Sequence, residues 1–249
     1  MSLAARILFC VWLIPSSLHS SDCIITHRSS KHGERLTYKI YYTLAGAYVG
    51  AGEVVFDNHL EQYMQRPVWH VRGIGRTYES YDWFFKVRDS YESYIDTSSF
   101  LPLKFVRNVS EGGNKLYEQV QFDHQRMKAV STQGVFPIKD CTYDVLSAIY
   151  YARNIDFSNR KVGDKIPLRL YLSDSMYSVY IRYLGKETIK TRFGQFQTIK
   201  FRPLLIEGTI FRGGEKMDVW VSDDDKRIPV MVNTPILVGN IRVLLSDMK

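Results

Sequence analysis

Three charged side chains occupy positions that should face a protein core. In three consecutive segments of the chain, alternate residues are apolar, which is typical of strands with one buried face. Asp89, Arg107 and Glu118 each lie on the apolar side of their own segment. A charge on such a face must be paired or serve a function, because burying an unpaired charge is costly.

Short turns between the three segments would bring these charges together. A hairpin with Ile95 opposite Leu101 puts Asp89 opposite Arg107. A tight turn over Gly112 and Gly113, between the second and third segments, puts Arg107 opposite Glu118. Opposite charges across neighbouring strands attract, and one guanidinium can serve two carboxylates. The sequence therefore predicts a row of three charges across three strands, unless a one-residue slip exchanges the two faces.

Such a row could do three kinds of work. It could be a structural triad that fixes the register of the sheet. It could be a polar anchor for a ligand inside an apolar cavity, with Asp89, Arg107 and Glu118 as binding residues. The two carboxylates could also serve a glycan hydrolase, which needs such a pair on either side of a cleft. We favour the structural role and assign no catalytic residue.

The cysteines allow one disulfide. The chain has three, and Cys10 lies in an apolar stretch that we expect to be removed, which leaves Cys23 and Cys141. An even count in an oxidising compartment permits one bond, between the N-terminal tail and the middle of the chain. Two separate thiols are the alternative. Cys141 has no identifiable histidine partner, so a catalytic thiol is not indicated.

Other chemistry leaves no recognisable pattern. The chain contains no nucleophile elbow, zinc-protease helix motif or phosphate loop. Its histidines show no metal-ligand spacing, and the acidic run 223–225 lacks the alternation of a calcium loop. We predict no metal and no cofactor.

The elements that must hold these residues are mostly strands. Period-two alternation dominates from Glu34 onward, and short turns between neighbours predict an antiparallel meander. The helix pattern covers about 143–154, where Thr142 can cap the first turn and Asp144 suits its positive end. The fold class we predict is mainly β, an antiparallel meander curled into a partly closed barrel or sandwich, with one central α-helix that plugs or covers one opening. Strands are expected at about 36–44, 54–56, 67–75, 84–96, 101–110, 115–123, 126–131, 166–172, 177–190, 196–206, 209–212, 217–222, 228–233 and 238–247.

The N-terminus has the three parts of a secretory signal. Arg6 precedes a short apolar run, and small residues follow up to Ser20. We expect residues 1–20 to be a signal peptide, 21–33 a tail, and 34–249 one β-rich domain, with two halves divided by the helix as an alternative. The apolar run is too short to span a bilayer, and no cysteine stands where a lipid anchor would need it.

Charge and composition exclude some classes of function. The 249 residues are 45% hydrophobic and 24% charged, which is ordinary for a globular protein. The formal net charge of +7 becomes +6 without Arg6. The basic residues are scattered among carboxylates, and no nucleic-acid motif is present, so we expect no nucleic-acid partner.

Several segments, in order, resemble an exported bacterial family, domain of unknown function 3108. The matching segments are 33–38, 84–96, 111–118, 143–153, 219–224 and 227–230. The resemblance implies a Gram-negative envelope and an antiparallel sheet similar in fold to YmcC-type lipoproteins linked with capsule export. It transfers no catalytic residue, and this chain lacks the anchor cysteine of those lipoproteins.

The function expected from these observations is non-enzymatic. We expect an exported protein, periplasmic or associated with the outer envelope of a Gram-negative bacterium, that binds a lipid, a glycan or an envelope protein and has no membrane-spanning segment after cleavage. An accessory factor in surface polysaccharide assembly and a carboxylate-based glycan hydrolase are the alternatives.

Overall fold

One sheet contains all the strands of the described residues. The computed structural model describes Cys23, Ile25, Ser29 and residues 31–44, 47–207, 213–236 and 239–249, so the expected signal peptide and the expected strand at 209–212 lie outside it. The elements are β1 (Arg35–Leu44), β2 (Ala47–Tyr63), β3 (Arg66–Thr77), β4 (Arg88–Asp96), β5 (Pro102–Glu111), β6 (Asn114–Asp123), β7 (Lys128–Ser131), β8 (Gly134–Pro137), β9 (Thr142–Tyr143), α1 (Val145–Arg153), β10 (Lys165–Leu172), β11 (Ser175–Thr191), β12 (Gly194–Pro203), β13 (Asp218–Ser222), β14 (Pro229–Pro235) and β15 (Asn240–Met248).

The strand order follows the chain in two runs. From one edge it descends from β8 to β1, and it continues from β15 to β9 at the other edge. The first and last strands therefore pair, Tyr38 lying opposite Leu245. Neighbours are antiparallel apart from β9 and β10, which run parallel. The predicted fold class, a mainly β antiparallel meander with one central helix, is confirmed.

The sheet curls, although its two edges do not pair with each other. The edge strands β8 and β9 are joined by residues 138–141 alone, a stretch that can span at most about 20 Å. Side chains from both runs meet inside: Phe105 and Val120 pack in one cluster with Tyr171 of β10. The outcome is a barrel-like shape in which the ladder stays open between β8 and β9.

Helix α1 lies inside the curl. Leu146 and Tyr150 pack against Val71 and Ile95 on one side, and Ala148 packs against Leu168 on the other. The helix N-cap is Asp144, whose carboxylate accepts hydrogen bonds from the backbone N–H groups of residues 146 and 147. The expectation that Thr142 caps the helix is wrong, because Thr142 belongs to β9 and donates its hydroxyl to the Lys139 carbonyl.

The last turn of α1 closes one end of the curl, which we call the helix end. Arg153 makes two hydrogen bonds of 2.6 and 2.8 Å to the Glu34 carboxylate, just before β1. It also donates to the carbonyls of Lys226 and Arg227 in the turn between β13 and β14. Both partners are at least nine-tenths buried, so the pair fixes the helix to two strand ends.

Three described residues of the N-terminal tail contact the body of the protein near the helix. Cys23 is bonded to Cys141, with 5.4 Å between their Cα atoms. Ile25 packs beside the cluster of Leu146 and Tyr150, and the Ser29 N–H donates to Asn154 at 2.8 Å. The disulfide thus ties the tail over the helix.

Candidate functional site

The predicted row of charges is only partly correct. Arg107 lies opposite Glu118 between β5 and β6, as the glycine turn predicts. Between β4 and β5, however, Arg107 lies opposite Tyr91 and not Asp89. Two one-residue shifts add up to this difference. Ile95 lies opposite Pro102 and not opposite Leu101 as predicted, and the irregularity between Tyr94 and Ile95 adds one further residue on β5. The row across the three strands is therefore Tyr91, Arg107 and Glu118.

The centre of this row is a buried ion pair. The Arg107 Nε donates to the Glu118 carboxylate at 2.5 Å, and both residues are less than a tenth exposed. The Arg107 Nη2 donates to the Ser173 hydroxyl at 2.6 Å, in the turn between β10 and β11. Arg107 thus bridges the two runs of the sheet across the interior. The second Glu118 oxygen, Oε1, is buried and has no hydrogen-bond partner among the described residues, so it can accept one more hydrogen bond.

Asp89 lies on the same face of the sheet as Tyr91, two residues earlier in β4. Its carboxylate accepts a hydrogen bond of 2.9 Å from the Ser110 N–H and interacts with the Glu111 carboxyl. Burial raises the pKa of Asp89, although these hydrogen bonds lower it. Burial, together with the charges of Asp89 and Glu111, also raises the pKa of Tyr91 to about 12.

These side chains extend toward the end of the curl opposite the helix end. The residues that follow β3, 78–87, form a loop there, which we call the aromatic loop; five of its first eight residues are aromatic. The sequence reading of a strand from residue 84 is wrong, because β4 begins at Arg88.

An ion pair holds the base of the aromatic loop. Arg88 donates to the Asp82 carboxylate at 2.6 Å, and the Thr77 hydroxyl donates to the same carboxylate at 2.5 Å. The Val87 N–H donates to the Thr77 hydroxyl at 3.0 Å. The Phe85 ring lies against Gly112, in the turn between β5 and β6, which places the loop beside the carboxyls of Asp89 and Glu111.

The loop presents large aromatic side chains to solvent. Trp83 is 84% exposed and Phe84 50%. Phe84 contacts Tyr42, Tyr81 and Trp83 at ring-centroid distances of 5.4 to 6.0 Å. We call these four residues the aromatic rim and this end of the curl the rim end. Sequence reasoning missed the rim, although the density of aromatic residues in 78–85 is a signal that could have indicated a loop surface.

The two carboxylates of the predicted row do not flank a cleft. Glu118 is buried and paired with Arg107, so it does not offer a free carboxyl opposite Asp89 across a cleft. In the part of the chain that the structure covers, no group of three or more His, Cys, Asp or Glu side chains could hold a metal ion. Within the same residues, no helix has the length and apolar character needed to cross a membrane.

Comparison with known proteins identifies a family and a fold. No curated protein matches the chain in sequence. The structure is similar to that of a β-barrel-like protein of domain of unknown function DUF1849 from Brucella abortus, with a TM-score of 0.60, 10% identity, and coverage of 88% of this chain and 97% of that one. This likeness shows a shared barrel-like fold.

A second solved structure is less similar. It is a protein from Bacteroides fragilis described as exported and as having a YmcC-like fold, with a TM-score of 0.33, 12% identity, and coverage of 90% of this chain and 98% of that one. The family model of the proteins of unknown function DUF3108 matches residues 37–246. Since that match spans most of the sequence and nearly every strand of the sheet, the chain belongs to the DUF3108 family.

Proposed function

We propose that this protein is an exported, non-enzymatic binding module of the bacterial envelope, and that its rim end takes a glycan. The observation that carries the proposal is the aromatic rim. Two of its rings, Trp83 and Phe84, are exposed side by side, and Trp83 is the most exposed of the large hydrophobic residues described. Exposed apolar patches on a folded domain mark interaction surfaces.

The chemistry beside the rim supports a glycan over a purely apolar ligand. Aromatic rings pack on the apolar faces of sugars, while hydroxyl groups need charged or polar partners. The Asp82–Arg88 pair lies at the base of the loop, and Asp89 and Glu111 lie in the neighbouring strands. Glu118 Oε1 has acceptor capacity deeper in the same row. Aromatic rings and hydrogen-bond acceptors are therefore both present at the rim end.

Export is supported by the chain itself. Residues 1–20 have the pattern of a secretory signal, and the Cys23–Cys141 disulfide requires an oxidising compartment to persist. A periplasmic or outer-envelope location in a Gram-negative bacterium accords with both. The proposed ligand is accordingly a glycan of that envelope.

Titration with oligosaccharides released from the lipopolysaccharide and peptidoglycan of the producing bacterium tests the proposal. Binding is followed by intrinsic tryptophan fluorescence in the wild type and by calorimetry in Trp83→Ala. We expect saturable binding in the wild type and at least a tenfold weaker affinity in Trp83→Ala. Trp69→Phe, a change on β3 away from the rim, serves as the control and should bind as the wild type does. Equal affinity in all three proteins, or no binding to any of them, would overturn the proposal.

A further inference from the structure

A second site is formed where the β11–β12 hairpin folds over the sheet. Strand β13 pairs only with residues 198–201 of β12, so the tip of the β11–β12 hairpin extends past it. Ile189 and Phe196, near this tip, pack against the cluster that contains Trp220, Val230 and Leu245. The tip thus lies across β1, β14 and β15 and leaves a cleft of about 250 Å³ beneath it.

The cleft is on the outer face of the curl. Tyr38 is buried next to Arg153 and Tyr150 of the helix, so it faces the interior. Lys39 follows it in β1, and the pleat of a strand turns successive side chains to opposite faces. The site is therefore separate from the interior row of Arg107.

Three cations line this cleft without a carboxylate among the lining residues. They are Lys39 from β1 and Lys190 and Arg192 from the hairpin tip. None of the three has an ion pair within the residues the structure describes. Glu53, which lies opposite Lys39 on β2, is held by Arg76 at 2.6 Å. Unpaired charges of one sign around a concavity concentrate the electrostatic potential and attract a counter-ion.

The rest of the lining is amphipathic. Tyr41, Thr191 and Ser246 contribute hydroxyl groups. Met231 and Leu244, which lie opposite each other on β14 and β15, form an apolar floor. A ligand that fits has an anionic head and a small apolar part.

We propose that this cleft binds a phosphate group carried by a molecule with a short apolar portion. Three positive side chains match the charge of a phosphate and its several acceptor oxygens better than they match a single carboxylate. The phosphate lies among Lys39, Lys190 and Arg192, and the apolar portion lies on Met231 and Leu244. The same chemistry occurs in an anionic phospholipid headgroup and in a soluble phosphate ester.

Two probes distinguish these sources. The full exported chain is mixed with vesicles of phosphatidylglycerol and phosphatidylcholine, with vesicles of phosphatidylcholine alone, and with butyl phosphate, a soluble ester that carries a short apolar chain. Lys190→Gln/Arg192→Gln removes two cleft charges. Lys128→Gln/Lys139→Gln removes two charges from exposed positions on β7 and after β8, and is the matched control.

At 0.1 M salt we expect the wild type to bind. The affinity of Lys190→Gln/Arg192→Gln should be at least tenfold weaker, and the affinity of the control variant should change less than twofold. Binding to the phosphatidylglycerol vesicles alone identifies a lipid headgroup as the source. Binding to butyl phosphate identifies a soluble ester. Failure of the wild type to bind either probe would overturn the proposal. An equal loss in both variants would overturn it as well, because it would show a general effect of net charge and not a site.

Discussion

Arg107 illustrates at the residue scale how one buried charge connects separate parts of a fold. Its guanidinium is shared between Glu118 on the next strand and Ser173 on the far run of the sheet. Desolvating an ion pair offsets much of its attraction, so the pair need not add net stability. Removing one partner is different, because the other charge then stays buried and unpaired.

We expect Arg107→Met to lower the free energy of unfolding by about 3–5 kcal/mol, the usual cost of breaking a buried pair. For a chain of this size that corresponds to a melting temperature lower by about 6–20 °C. Arg126→Met is the matched control, since its pair with Asp123 is on the surface and Arg126 is 80% exposed; we expect a change below about 1 kcal/mol there. Thermal unfolding followed by circular dichroism measures both. An unchanged melting temperature in Arg107→Met would show that the pair is not buried in solution.

Asp144 gives a pH dependence with a definite sign. Burial raises its pKa from 3.8 to about 6, although the Ser93 hydroxyl and the helix N–H groups lower it. The folded state therefore binds a proton more tightly than the unfolded state between these values. The stability that this group contributes is present in full below about pH 4 and is lost as the pH rises to about 6.

Asp144→Asn removes this titration while it keeps an acceptor for the helix cap. Relative to the variant, the wild type should lose up to about 3 kcal/mol of stability between pH 4 and pH 7, given a shift from 3.8 to about 6. Urea unfolding of both proteins at half-unit pH steps measures the difference. A difference that stays constant over this range, or that grows in favour of the wild type as the pH rises, would contradict the assignment.

At the scale of elements, the turn between β5 and β6 supports the aromatic loop. Gly112 and Gly113 both have positive φ angles, 55° and 93°, which residues other than glycine adopt only at a cost in free energy. They differ in surroundings. A Cβ on Gly112 would lie 2.5 Å from the Phe85 ring, whereas one on Gly113 would meet nothing within 4 Å.

Alanine substitutions at these two positions should therefore separate the effect of backbone strain on stability from the effect of the Phe85 contact on the aromatic loop. We expect both variants to be less stable than the wild type by about 1 kcal/mol or more. Only Gly112→Ala should displace Phe85 and speed amide hydrogen exchange in residues 78–87, where the Phe84 and Phe85 N–H groups donate to the Tyr81 carbonyl. Mass spectrometry of exchanged peptides measures this. Equal exchange in the two variants would show that Phe85 does not hold the loop.

The elements also show what a sequence can predict here. Alternation of apolar and polar residues indicates the antiparallel strands, and the periodic stretch near residue 145 indicates the helix. The register of β4 on β5 could not be predicted, because neither the pairing of Ile95 with Pro102 nor the irregularity between Tyr94 and Ile95 has a signature in residue type. The short strand β8 and the early start of β2 at Ala47 were also missed, since glycine and few residues weaken the alternation there.

At the scale of the whole molecule, the two ends of the curl have different chemistry. The helix end is closed by α1, by the Glu34–Arg153 pair and by the disulfide-bonded tail. The rim end carries exposed rings above a row of ionisable groups. The sequence predicts residues of the row but not the rim, because exposure of Trp83 depends on how a loop leaves the sheet. This difference supports the proposal of a binding module whose ligand lies at the rim end.

Native mass spectrometry of the protein exported to a periplasm and purified without detergent tests this interpretation most directly, with Trp83→Ala/Phe84→Ala purified in parallel. We predict that the wild type carries an envelope glycan, that the rim variant does not, and that both polypeptides are two hydrogens lighter than their reduced forms because Cys23 and Cys141 are bonded. A wild type free of any glycan, or a variant that retains the same glycan, would contradict the assignment of the rim end as the binding site.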